Sequence, residues 1–295
     1  LVSIKKDYAY AIIQEIIKES PDRRAPFCPV FGLCGGCSLQ HMSYESQLRN
    51  KTQRVDDCMK RIGGFENVPV LPCIGMEDPF DYRNKVQLVV SGSGLGKKRN
   101  NRGLSAGFYA RRTHQVVYTE RCRIQPEIAD QIKDTVLLYM KSNNISVYDE
   151  TKHKGLVRHI MIRKSVNTDD IMVAIVATEN NRSFMKGLTD FLVSFFPDIK
   201  TVVLNLNDKV TNVILGDECI HYYGDGTIEE KINDLTFRIS VLSFFQVNTV
   251  QMKVLYDKVK EFAALTGDET VWDLYCGAGT IGLYLAHQAK KVIGI

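Results

Sequence analysis

The chain has 295 residues, 44% hydrophobic and 24% charged, a composition that fits a globular protein of about two domains. No apolar run approaches the ~18 residues of a membrane-spanning helix, and the N-terminus lacks a basic-then-apolar signal pattern, so the sequence predicts a cytoplasmic protein without a membrane partner. The net charge of +4 hides an asymmetry: from Arg83 to Arg123 ten Lys or Arg face the single acid Glu120, a local balance of +9, whereas the rest of the chain holds 28 basic and 33 acidic residues.

In chain order, Val2, Ile4, Tyr8, Tyr10 and Ile12 alternate around Lys5-Lys6-Asp7 as a half-buried hairpin would. Because Leu1 is not an initiator Met, the chain is expected to begin within a domain. Pro21, Pro26 and Pro29 mark a break, and Cys28-Pro-Val-Phe-Gly-Leu-Cys34-Gly-Gly-Cys37 follows. From the N-cap candidate Ser43, the residues Leu48, Val55, Met59 and Ile62 share a helical face that Gly63-Gly64 ends. Residues 82–122 read as strands around a Lys/Arg-rich loop, with Phe108, Val116, Val117 and Tyr118 at sheet positions. Pro126 opens a helix to about Asn143. Strands at 156–164 and 171–177, a helix near 183–196, and strands at 201–206, 212–215 and 235–242 complete an α+β region. Asn248 then caps a helix with Leu255, Val259 and Phe262 on its apolar face. From Gly267 onward the pattern is parallel α/β: a strand Thr270–Tyr275, a Gly-rich turn, a helix from Thr280 to Gln288, and a strand Lys291–Ile295.

Three features carry chemistry. Eight cysteines are too few for a disulfide scaffold in a chain this long, so the three thiols of Cys28–Cys37 are read as metal ligands, with Cys122 as fourth. Iron–sulfur clusters and structural zinc both take four thiolates, and spacing alone does not separate them. Cys58 and Cys219 are read as core thiols. The +9 window suits RNA phosphates, with Arg83, Lys85, Arg99, Arg102, Arg111 and Arg112 leading, and His159 beside Arg158 a further RNA-contact candidate. Finally, Trp272-Asp273-Leu274-Tyr275-Cys276-Gly277-Ala278-Gly279-Thr280-Ile281-Gly282 is a strand, turn and helix whose exposed backbone suits an adenosyl ligand. Dinucleotide-binding proteins use the same Gly pattern, and Asp273 ahead of the turn leans toward a methyltransferase.

Together with Ser38-Leu39-Gln40-His41, Tyr82-Arg83-Asn84-Lys85-Val86 and Ser243-Phe244-Phe245-Gln246-Val247-Asn248, these strings resemble one family: the RNA uracil-5-methyltransferases that carry a four-iron, four-sulfur cluster and act on 23S ribosomal RNA. The resemblance implies an α+β RNA-binding and iron–sulfur domain over 21–242, followed by the start of a Rossmann-like α/β class I methyltransferase domain over 243–295, with a remnant of a TRAM-type β-barrel over 1–20. It also implies that helix 43–62 packs on the methyltransferase domain. Residue by residue, Cys28, Cys34, Cys37 and Cys122 match the cluster ligands. Gln246, Tyr275 and Gly277 match positions at S-adenosylmethionine, and Phe244 an aromatic near the target base. Thr280 departs from the Asn of some relatives.

The resemblance further implies a monomer, and a cysteine nucleophile and base beyond residue 295, so that Cys276 is a packing residue and the chain as given is inactive. Three alternatives stay open: a tRNA uracil-5-methyltransferase, an iron–sulfur nucleotide-dependent oxidoreductase, and a non-catalytic RNA-binding module.

Overall fold

The structure is a computed structural model that describes residues 2–92, 94–95 and 103–295. Two units emerge, Leu1–Phe31 with Cys37–Gly75 and Gly32–Gly36 with Met76–Ile295. In the first, β1 (Ser3–Ile4) and β2 (Ala9–Tyr10) pair antiparallel. The hairpin is where the alternation put it, but it is not half-buried: Ile4 and Ile12 are 71% and 72% exposed, because a ribbon this short is too small to cover a face.

Helix α1 (Tyr44–Asp57) begins where the Ser43 hydroxyl accepts the Ser46 N–H at 3.2 Å. A π-helical turn, Cys58–Ile62, extends it to Gly63. The expected apolar face is not buried: Val55 within α1 is 52% exposed and Ile62 in the π turn 84%. Cys58, expected in the core, is exposed, because this helical segment buries almost none of its side chains.

The second unit is built on an eight-stranded mixed sheet. Its strands are β3 (Lys85–Ser91), β4 (Gly94–Leu95), β5 (Ser105–Tyr109), β6 (Val116–Tyr118), β7 (Val157–Lys164), β8 (Ile171–Ala177), β9 (Ile199–Leu206) and β10 (Glu218–Tyr223). Their spatial order is β10-β9-β8-β7-β3-β5-β6-β4. The pairs β8–β9 and β4–β6 are parallel. Strand β8 is buried along its whole length, as an unbroken apolar run demands when both faces are covered.

One face packs on α2 (Glu127–Ser142) and α3 (Arg182–Phe195), with Val86, Leu88, Ile132, Met140, Ile160 and Leu188 in a common core. The other face meets the hairpin β11–β12 (Thr227–Ile232 and Leu235–Ser240) and α4 (Thr249–Ala263). There Met161, Met172, Val203, Ile239, Phe245, Met252 and Tyr256 share a second core. The last elements are β13 (Thr270–Asp273), α5 (Thr280–Leu285), a single 3-10 turn over Ala286–Gln288, and β14 (Lys291–Gly294). Strands β13 and β14 pair in parallel.

Two expectations fail here. Residues 212–215 form no strand. Asn207 Nδ2 donates to Val213 O and Ile214 O at 2.8 and 3.0 Å, and Arg158 donates to Thr211 O at 3.2 Å, so side chains rather than a ladder satisfy this backbone. The apolar face of α4 is also not the expected one. Leu255 and Phe262 are 52% and 69% exposed, whereas Met252 and Tyr256 are buried.

Candidate functional site

Two strings far apart in sequence meet at the start of β3. Asn84, buried, donates its backbone N–H to Val247 O at 2.8 Å. Its side-chain amide donates to Gln246 O at 2.8 Å and to Thr249 Oγ1 at 2.9 Å. Arg83 and Asn248 form an isolated bridge beside it. The 82–86 and 243–248 strings are therefore one structural piece. Behind it, the buried Glu230 carboxylate accepts the N–H groups of Val166, Asn167 and Lys231, and the Thr249 hydroxyl at 3.4 Å.

Loop 243–248 is anchored by Phe245, 2% exposed, and leaves Phe244 69% exposed. Gln246 is half-buried. Asn248 caps α4 by accepting the Gln251 N–H at 2.9 Å.

Two cations flank this junction, Arg163 buried and Lys85 half-buried. Lys85 faces Arg163 across the β3–β7 ladder. Burial holds the Arg163 guanidinium down to about 10, and burial followed by the Arg163 charge lowers the Lys85 amine. Arg163 Nη2 donates to Ser243 O at 3.0 Å. Its Nε and Nη1, like Arg83 Nε and Asn84 Oδ1, are buried without a partner among the described residues. Buried polar atoms left unmet cost about 1–3 kcal/mol each, and three of these four are donors, Asn84 Oδ1 being an acceptor. Sequence reasoning missed Arg163. Its only signal was its place directly after the apolar stretch Ile160–Ile162.

Helix α4 joins this junction to the Gly-rich turn. Tyr256, eight residues and about 12 Å of helix beyond Asn248, bonds its hydroxyl to Thr280 Oγ1 at 2.7 Å. Its ring lies edge-on to Tyr284 at 5.5 Å. In the turn, Tyr275, Gly277 and Gly279 have φ of 60°, 55° and 70°, and Tyr275 is 98% exposed. A left-handed non-glycine costs about 1–2 kcal/mol, which marks Tyr275 as a held conformation. The Asp273 carboxylate accepts the Gly282 N–H at 2.8 Å. A Cβ on Gly282 would meet Asp273 Oδ2 at 2.8 Å and Val292 Cγ1 at 3.0 Å, whereas one on Gly277 would meet nothing within 4 Å. Helix and strand are pressed together below, and the turn is open above. Cys276 packs beneath it, half-buried, against Gly294.

Cys28, Cys34, Cys37 and Cys122 are each half-buried. Cys34 bridges Ala110 at the end of β5 and its sulfur accepts the Gly36 N–H at 3.4 Å, and the Cys122 N–H donates to Asp130 at 3.1 Å. Among the described residues, no group of three or more His, Cys, Asp or Glu is gathered to hold a metal ion.

In the basic window, Arg111 and Arg112 are exposed in the turn after β5. Arg121 is committed to Asp81 at 2.5 Å and Asp130 at 3.2 Å, and Arg123 lies over the Phe80 ring. The expected phosphate contacts Arg99 and Arg102, with Lys97 and Lys98, lie outside the described residues.

No family model matches the chain. Over all 295 residues it is 44% identical to a protein of Halalkalibacterium halodurans named as an uncharacterized RNA methyltransferase, covering 63% of that protein. It is likewise 42% identical to one of Bacillus cereus with the same description, again over 63% of its length. Among solved structures, 92% of the chain superposes on 58% of the Pyrococcus abyssi tRNA (uracil-54, C5)-methyltransferase in complex with S-adenosyl-L-homocysteine, with a TM-score of 0.68 and 28% identity. The chain thus spans a little under two thirds of the curated relatives it matches.

Proposed function

We propose that this chain is part of an S-adenosylmethionine-dependent RNA methyltransferase that modifies C5 of uridine. The observation that carries the reading is the continuous path from the Asn84–Gln246 junction, through α4 and the Tyr256–Thr280 bond, to an open Gly-rich turn. The likeness to the Pyrococcus abyssi tRNA (uracil-54, C5)-methyltransferase over 92% of the chain supports it. Gln246, Tyr275 and Gly277 contact the cofactor, which when bound supplies an electrophilic methyl group. The open space above Gly277 and the exposed Tyr275 ring suit an adenosyl group. Phe244 offers an exposed face to a base drawn out of its stack, and Arg163 with the half-buried Lys85 supplies positive charge for the neighbouring phosphates.

Uracil C5 is a poor nucleophile until a thiolate adds to C6 and makes C5 an enolate carbon. Cys276, beneath the turn, is not that thiol in this reading; the attacking cysteine and the base belong to the remainder of the whole protein. In this reading Cys28, Cys34, Cys37 and Cys122, each half-buried, would supply the four thiolates of a four-iron cluster. In this reading residues 1–20 end a TRAM-like barrel, 21–242 bear the cluster and the RNA contacts, and 243–295 open the methyltransferase domain.

The substrate is 23S ribosomal RNA in this reading, because the family the chain resembles pairs the four cysteines with that target. The tRNA activity named for the solved neighbour favours a second reading. Full-length protein incubated with methyl-labelled S-adenosylmethionine and either 23S or tRNA transcript is expected to place 5-methyluridine in the 23S transcript. Label confined to tRNA selects the second reading. Label in neither, with tight NADH binding in place of S-adenosylhomocysteine, overturns both in favour of an oxidoreductase.

A further inference from the structure

The sheet face that carries Lys85 and Arg163 runs on to a second feature. Register pairs Lys85 with Arg163, Gln87 with Met161 and Val89 with His159, so all six share one face. Roughly 13 Å along β3 from the motif junction, that face opens into a cleft of about 730 Å³ lined by Val89, Tyr109, His114, Tyr148, Glu150 and His159. Small-ligand sites occupy ~300–1,000 Å³.

The lining is aromatic and edge-reading. The Tyr109 hydroxyl donates to Glu150 Oε1 at 2.7 Å, and His114 Nδ1 lies 2.8 Å from Glu150 Oε2. Burial pushes the Glu150 carboxyl up, but the hydrogen bonds from Tyr109 and His114 outweigh it and leave it below its ordinary value. The Arg158 guanidinium lies 4.5 Å from the centroid of the Tyr148 ring and is fixed by the carbonyls of Asn207, Lys209 and Thr211. His159 is 6% exposed, and its Nδ1 has no partner among the described residues. Burial, then the Arg158 charge, lowers it to about 4, so near neutral pH the ring is uncharged and offers one donor and one acceptor.

An ionised carboxylate at the rim repels a phosphate but accepts N–H groups from a base edge. Exposed Arg111 and Arg112 sit between Tyr109 and His114 in the chain, where a backbone leaving the cleft would pass. Single-stranded RNA is read by such combinations of stacking and edge hydrogen bonds.

We propose that this cleft binds one unstacked nucleobase of an RNA strand, at a site separate from the one that would hold the reacting uridine. The proposal rests on the RNA reading above. Its test uses full-length protein and fluorescence anisotropy with short single-stranded oligoribonucleotides, one set carrying bases and one an abasic sugar–phosphate chain. Wild-type protein is expected to prefer the base-bearing strands by about fivefold or more, the lower end of one base–aromatic stack. Tyr148→Ala, and the rim variant Glu150→Ala whose side chain is 42% exposed, are each expected to shrink that preference while abasic binding holds. An unchanged preference in both variants overturns the cleft as a base site and leaves the RNA reading standing. Failure of wild-type protein to bind any strand at low salt overturns the RNA reading with it.

Discussion

Replacing Asn84 by Ala removes the side-chain amide that ties β3 to loop 243–248 while sparing the backbone bond from its own N–H to Val247 O. Two hydrogen bonds are lost, at 2.8 Å to Gln246 O and 2.9 Å to Thr249 Oγ1. Each is worth about 1 kcal/mol net, and the carbonyl left behind in a buried place adds a desolvation cost, so the total is about 2–3 kcal/mol. For a unit of this size that lowers the thermal midpoint by roughly 4–12 °C. Scanning calorimetry of the variant would read this shift, and titration with S-adenosylhomocysteine would show weaker binding as Gln246 loses its support. A midpoint within ~1 °C of wild type, with cofactor affinity unchanged, would refute the claim that this amide holds the loop.

The buried His159 predicts a pH dependence with a definite sign. Its folded value of about 4 lies below the ordinary 6.5, so the unfolded chain takes up the proton first. Stability is therefore whole above pH ~6.5 and falls by up to about 3 kcal/mol as pH drops toward 4. His159→Gln should flatten that slope in urea titrations run at pH 4.5 and 7, and an identical slope in both proteins would exclude His159 as its source. Gly282→Ala forces a Cβ to within 2.8 Å of Asp273 Oδ2; overpacking of ~1–3 kcal/mol should weaken S-adenosylhomocysteine binding about tenfold in calorimetric titration, and unaltered binding would show that the helix can shift freely. Full-length protein prepared without oxygen should be brown with about four irons, and Cys122→Ser should bleach it, whereas colourless protein holding one zinc rejects the cluster. Neutralising Arg111 and Arg112 together should lower the slope of log affinity against log salt for single-stranded RNA by about 1.4; a constant slope removes them from the interface.

Parts of this architecture were plain in the residues. Pro126 and Asn143 bound α2 in the structure, and the apolar run Ile171–Ala177 could only be a strand covered on both faces. Other parts were not legible, for identifiable reasons. Val213, Ile214 and Leu215 look like a strand because three apolar residues adjoin, yet Asn207, too short a signal to read, pins their backbone. Helix α4 carries two apolar stripes of equal period, and only the tertiary fold selects Met252 and Tyr256 over Leu255 and Phe262. The Gly-rich turn and the strings at 82–86 and 243–248 were visible separately. That Asn84 stitches the last two together was not, since no local pattern encodes a partner so distant. Cysteine spacing pointed to one site, but the thiols fall in both units, Cys28 and Cys37 in one and Cys34 and Cys122 in the other.

The Asn84–Gln246 bond spans 162 residues. Closing such a loop from an unstructured chain costs roughly 4–5 kcal/mol beyond a constant term, more than the bond returns. The closure becomes favourable only after β3, β7, β8 and β9 have lined up and brought both ends to one edge, so loop 243–248 is set late in folding, behind the sheet. The cofactor capture proposed for that loop would then report on the whole second unit: a chain that has collapsed but not yet registered its strands has the right residues and no place to hold them.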